Sequence, residues 1–137
     1  MGKGATGGAV TGGGHDFDLP ALPDAVDVFD TTLRDGSQQE GLSLTVDDKL
    51  RVAEQLDHLG VTFIEGGWPG ANPKDEEFFA RAPTELSLSR ATLVAFGSTR
   101  RAGVKAEDDE TLRHLVNAQT EAVCIVAKSS EMHVVDA

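Results

Sequence analysis

Four short apolar runs recur along this chain, and each is separated from the next by a segment with helical periodicity. No other feature constrains the fold as much. The runs are Val26–Phe29, Val61–Glu65, Ala91–Phe96 and Ala122–Ala127. Between their polar ends they are near-continuously apolar, the pattern of strands buried on both faces in a parallel sheet. The intervening segments carry helix signals. Thr45 is placed to cap a helix whose first turn holds Asp47 and Asp48, where carboxylates favour the positive end of the helix dipole. Val46, Leu50, Ala53, Leu56 and Leu59 then recur on one face, and Gly60 closes the helix. Asn72-Pro73 opens a second helix with Phe78, Phe79 and Ala82 on its buried side, and Pro83 is expected to end it. Asp108-Asp109-Glu110 opens a third, with Leu112, Leu115 and Val116 facing inward. Ser129 to Ala137 reads as the beginning of a fourth.

The order βαβαβαβ implies right-handed crossovers between parallel strands. Periodicity leaves two architectures open, a doubly wound sheet and part of an eight-stranded barrel. A complete barrel takes about 250 residues. The 137 residues here would make half of one.

Residues 1–24 stand apart. Met1 to Gly14 holds seven of the fifteen glycines and almost no apolar bulk, so a disordered tail is expected ahead of a folded domain over 25–137. The net charge of −11 argues against a nucleic-acid or anionic-membrane partner. A single cysteine excludes a disulfide framework, and no apolar run approaches the length of a membrane span. A cytoplasmic location is the corresponding expectation. Cys124 lies among apolar neighbours in mid-strand and reads as core.

Each strand ends in polar residues, and in a parallel sheet these ends share one rim, where chemistry is done in such folds. The clusters are Arg34-Asp35, Glu65, Ser98-Thr99-Arg100-Arg101 and Lys128-Ser129-Ser130, with Glu131 and His133 beyond. Asp35 offers a hard oxygen ligand for Mg²⁺ or Mn²⁺. Arg34 offers a fixed cationic fork for an oxyanion. Glu65 is placed to orient Arg34 or to meet substrate. These residue types equally suit a network that only ties strand ends together. Gly66-Gly67-Trp68-Pro69-Gly70 fits either a close approach to ligand or a strand-to-helix turn needing positive φ. Arg100 and Arg101 suit a carboxylate, a CoA phosphate or a solvated loop. His15, His58 and His114 read as tail or helix-surface positions.

Asp30-Thr31-Thr32-Leu33-Arg34-Asp35-Gly36-Ser37-Gln38 resembles the signature of a metallolyase superfamily. Its members include 2-isopropylmalate, homocitrate and citramalate synthases and hydroxymethylglutaryl-CoA lyase. Phe63 to Asp75, Ala95 to Arg101 and Lys128 to Val134 are similar to the citramalate synthase branch, so the resemblance spans Val26 to Ala137. It implies the N-terminal half, about four βα units, of a (β/α)₈ TIM barrel. It also implies condensation of acetyl-CoA with pyruvate to (R)-citramalate and CoA, feeding isoleucine synthesis. Asp35 would be a ligand to Mn²⁺ or Mg²⁺ (Zn²⁺ is also admitted), and Arg34 would stabilise the nascent alkoxide. Glu65 would support Arg34, and Gln38 would line the substrate site. The full-length protein would be a homodimer with small-molecule substrates only. The family's later His-x-His metal pair has no counterpart in these residues, so this stretch is expected to be an incomplete, inactive part of the enzyme. Alternatives are a 2-isopropylmalate synthase using 2-oxoisovalerate and, from another class, a non-catalytic α/β binding domain.

Overall fold

The computed structural model describes residues 24–136. The expected disordered tail, Asp24 apart, lies outside the described residues. Four strands alternate with four helices: β1 (Phe29–Asp30), α1 (Val46–Leu59), β2 (Phe63–Gly67), α2 (Pro73–Glu85), β3 (Thr92–Ser98), α3 (Glu110–Asn117), β4 (Ala122–Val126) and α4 (Glu131–Asp136). All neighbouring strands are parallel, in the order β1-β2-β3-β4. That order settles the architecture. A doubly wound sheet reverses its strand order at a switch point. Here each strand adds to the same side of the one before, the winding of the first half of a (β/α)₈ barrel.

Local signals set the helices. Thr45 and Asp48 form a reciprocal capping box on α1, and Gly60 closes that helix at φ 92°. The Asn72 side chain accepts the Asp75 amide, with Pro73 at the first helical position of α2. Asp109 caps α3 by accepting the Thr111 and Leu112 amides.

The core lies between the helices and one face of the sheet. Leu50, Ala53, Ile64, Phe78, Ala95 and Leu115 are among its buried members. Close approach of α2 to β2 depends on Gly66, where a β-carbon would lie 2.6 Å from the Phe78 ring. The opposite face carries Glu65, Val94, Phe96 and Cys124. The pairings Glu65 with Val94 and Phe96 with Cys124 put them on one side.

Several expectations need correction. Pro83 does not end α2, which runs on to Glu85. It sits in the last turn, so its missing N–H costs a single helix bond, and the Leu86 amide still reaches the Ala82 carbonyl. Leu59 and Val116 are exposed, at 79% and 76%, so the end of α1 and the outer side of α3 are left uncovered by the described residues. The first strand begins later than expected, at Phe29, although the Val28 carbonyl already accepts from Thr62 and Phe63. The third runs on to Ser98. The outer strands are not buried on both faces: Phe29, Val123, Ile125 and Val126 are each 44–49% exposed. They flank the sheet's two edges, where one neighbour is missing.

Candidate active site

Arg34, Asp35 and Glu65 come together at the C-terminal rim. Arg34 leaves β1 through a tight turn in which the Arg34 and Gly36 amides both donate to the Thr31 carbonyl. Leu33, fully buried, anchors that turn in the core. The Ser37 hydroxyl donates to the Leu33 and Arg34 carbonyls and holds the far side. Arg34 Nε then donates to Glu65 Oε2 at 2.6 Å, and Nη1 to Asp35 Oδ1 at 3.0 Å. Nη2 has no hydrogen-bond partner among the described residues.

Glu65 is 1% exposed and Arg34's side chain 19% exposed. The pair is therefore held where water screens it poorly. A buried carboxylate needs such a partner, because an unpaired charge there is strongly destabilising. The guanidinium carbon lies 4.1 Å from the centroid of the Phe96 ring, close enough for a cation–π contact.

Beneath the rim, a second ion pair fixes the end of β2. Lys49, 2% exposed, donates from Nζ to Asp75 Oδ1 at 2.5 Å. Burial pulls its pKa down, and the Asp75 contact works against that shift. Asp75 Oδ2 accepts from the Trp68 amide at 2.9 Å and the Asn72 amide group at 3.2 Å. Gly67, at φ 153°, must lack a β-carbon, which would lie 2.7 Å from the Asp75 carboxylate. The glycine run is thus a strand-to-helix turn that admits Asp75 and the Phe78 ring. The Trp68 and Phe96 rings pack edge to face, with centroids 5.3 Å apart and planes at 81°.

The other expected rim residues are not brought to this cluster. Gln38 sits at the exposed end of a single 3-10 turn, Gly36–Gln38, and its side chain makes no hydrogen bond among the described residues. Arg100 donates to the Arg101 and Val104 carbonyls and so braces its own loop. Arg101 finds a carboxylate within the chain: its amide and Nε donate to Asp109 Oδ2 at 2.8 and 3.3 Å. Lys128, Ser129 and Ser130 are exposed beyond β4, and Ser130 Oγ accepts the His133 amide. His58 is exposed on α1. His114 lies half-exposed on α3, with Nδ1 3.6 Å from Glu76.

Sequence reasoning missed two neighbours of the pair. Phe96 was legible only as a strand residue. Cys124, read as core, is partly exposed on the same face as Glu65. Burial, and secondarily Glu65, push its thiol pKa up, so the thiolate is disfavoured. The alternation along β3 and β4 carried the signal for both, but only the register joins it to Glu65.

Asp35 fits one position of a divalent-cation site. Its side chain is 65% exposed at the rim, and only Oδ1 is engaged. No group of three potential metal ligands occurs among the described residues. No helix among the described residues is long and apolar enough to cross a membrane.

A sequentially wound parallel α/β unit with an arginine–carboxylate pair at its strand ends defines a barrel-type α/β domain, the class to which the fold points. Residues 25–136 match the HMGL-like family model, and the chain belongs to that family. It is 58% identical over 113 residues to an (R)-citramalate synthase of Streptomyces coelicolor, covering 82% of this chain and 21% of the relative. An (R)-citramalate synthase of Aquifex aeolicus is 49% identical over 116 residues, 85% of this chain and 22% of the relative. A 2-isopropylmalate synthase of Lysinibacillus sphaericus is 34% identical over 108 residues, 79% of this chain and 20% of the relative. The chain spans about a fifth of the length of the curated relatives it matches.

Proposed function

We propose that this chain forms part of the catalytic barrel of an (R)-citramalate synthase, an acyltransferase that joins acetyl-CoA to pyruvate. The observation that carries this reading is the Arg34 guanidinium, fixed by Glu65 with its Nη2 edge unpartnered, in a chain so similar to proteins of that name. In the reaction, the acetyl-CoA methyl group loses a proton and its carbon bonds to the keto carbon of pyruvate. The keto oxygen takes up the negative charge, and water then cleaves the thioester to release CoA.

Arg34 is the group of this chain suited to that oxygen. Its charge is permanent, its plane is fixed, and it works in a poorly hydrated corner where a donor to developing charge acts most strongly. Glu65 keeps Nε occupied, so Nη2 is the donor presented. Gln38, at the same rim, is available to line the substrate site. A divalent cation, Mn²⁺ or Mg²⁺, held through Asp35 and further ligands would supply Lewis-acid polarisation of the keto oxygen. With this activity go a cytoplasmic, homodimeric full-length protein and a product that feeds isoleucine synthesis.

The test is CoA release by the full-length protein that contains this chain, supplied with acetyl-CoA, Mn²⁺ and either pyruvate or 2-oxoisovalerate. Release with pyruvate is expected. Release with 2-oxoisovalerate alone would assign a 2-isopropylmalate synthase, and release with neither would favour a binding domain.

A further inference from the structure

Two in-plane hydrogen bonds do not fix a guanidinium completely. Arg34 is held through Nε by Glu65 and through Nη1 by Asp35. Nε and Nη1 donate from different edges of the planar group, and two such bonds leave the tilt of the plane, and with it the aim of the unpartnered Nη2, to other contacts. Phe96 makes a third contact, with the guanidinium carbon over its ring at 4.1 Å from the centroid.

Phe96 is itself restrained. It projects from β3, which pairs on both sides, with β2 and β4. The Trp68 ring packs edge to face with it at 5.3 Å, and the Trp68 backbone is tied to the buried Asp75. Restraint therefore runs from the Lys49–Asp75 pair through Trp68 and Phe96 to Arg34. Phe96 is half-buried and gives its face to a cation, which pure core packing does not require.

We propose that Phe96 is a positioning residue for Arg34. Its aromatic face holds the guanidinium plane so that Nη2 is aimed at the oxygen that becomes negative, and Trp68 braces the ring from the side. This rests on the reading of Arg34 as the group that stabilises that oxygen. It adds a residue that acts through Arg34 and touches no reacting atom.

Two readouts on the full-length protein that contains this chain test it. The first is the Nε–Hε resonance of Arg34 in arginine-labelled protein, assigned by its loss in Arg34→Lys. The ring current of Phe96 should displace this signal, and Phe96→Leu should return it toward the ordinary arginine position. The second is the rate of CoA release. A small misplacement of a group that acts only in the transition state lowers kcat and leaves KM nearly unchanged. Phe96→Leu is therefore expected to lower kcat about tenfold, with the keto-acid KM within about twofold. Phe96→Tyr keeps the aromatic face and should rescue both the resonance and most of kcat.

The proposal is overturned if Phe96→Leu leaves the resonance in place, or if Phe96→Tyr falls as far as Phe96→Leu. The latter would mean that ring volume matters and the face does not. Should Phe96→Leu fail to fold, Trp68→Leu is expected to move the same resonance by a smaller amount, and an unmoved signal overturns the bracing. If the wild type releases no CoA with any 2-oxo acid while the resonance moves as expected, the catalytic reading falls and the positioning of Arg34 stands.

Discussion

At the end of the sheet where β3 begins, Asp57 is almost completely enclosed, at 1% exposure, and its two oxygens accept four hydrogen bonds. Three come from the Ser89, Arg90 and Ala91 amides and one from the Ser89 hydroxyl. At the end where the strands finish, Asp35 stands largely in solvent and accepts a single bond from Arg34. The first carboxylate has no capacity left. It clamps the C-terminal turn of α1 to the segment leading into β3. The second has an oxygen to spare, beside a guanidinium with a nitrogen to spare. In barrel-type α/β proteins the strand-start face serves stability and the strand-end face serves chemistry. In this chain the polar groups are saturated at the first end and unsaturated at the second.

The comparison can be tested at both ends. The largest effect is expected from Arg34→Lys, which keeps the charge beside Glu65 but loses the planar fork. CoA release by the full-length protein should fall about a hundredfold, with the melting temperature within about 2 °C of wild type. A large thermal loss with unchanged turnover would instead make the rim a structural network.

Asp57→Asn should show the reverse. It removes acceptor capacity and charge from four donors, so the melting temperature should drop by about 5 °C or more. CoA release per folded molecule should stay at the wild-type level, and a selective loss of turnover would break the division.

Acid titration sharpens the same point. The loop amides hold the Asp57 carboxyl far below the ordinary carboxylate range. The Arg101 amide foremost, aided by the Leu112 and Thr111 amides, holds Asp109 at about 2 against an ordinary 3.8. Depressed carboxyl pKa values contribute stability that is present above the unfolded pKa and lost as pH falls through the folded one. The urea midpoint should therefore decline as pH drops from 3.8 toward about 2, less steeply in Asp57→Asn and Asp109→Asn. Equal slopes in all three proteins would refute the clamp.

The smallest effect belongs to the surface. Arg81 bridges Asp47, Glu77 and Glu85, all solvent-exposed. Arg81→Ala should change the melting temperature by under about 2 °C, and the difference should vanish in molar salt. A larger, salt-independent change would give that cluster a structural weight comparable to Asp57.

Much of the site was legible before the structure. Arg34-Asp35 directly follows an apolar run and Glu65 ends the next, so both had to reach one rim once the strands were parallel. Glu65 was placed there either to orient Arg34 or to meet substrate, and across 31 residues it meets Arg34. The Phe96 contact did not, because nothing in a strand's apolar pattern says which ring will lie under a cation. Lys49 was equally hidden: on the helix it occupies a polar position, and only the approach of α2 gives it Asp75 and the Phe78 ring. The inward placing of Leu59 and Val116 failed for a related reason. Helical spacing identifies a face, but neighbouring elements decide how far along the helix that face is covered.

The sequence by itself determined the alternation of strand and helix, the caps at Thr45 and Asn72, the left-handed close at Gly60 and the polar strand ends. These are local properties, set by residues a few positions apart through side-chain periodicity and backbone hydrogen bonding. Tertiary structure alone decided the sequential strand order that makes this a barrel-type sheet, the contacts of Phe96 with Trp68 and Arg34, and the enclosure of Asp57. Each depends on segments about 30 or more residues apart meeting in one register. The free energy of such meetings comes from packing and charge pairing that no single segment encodes.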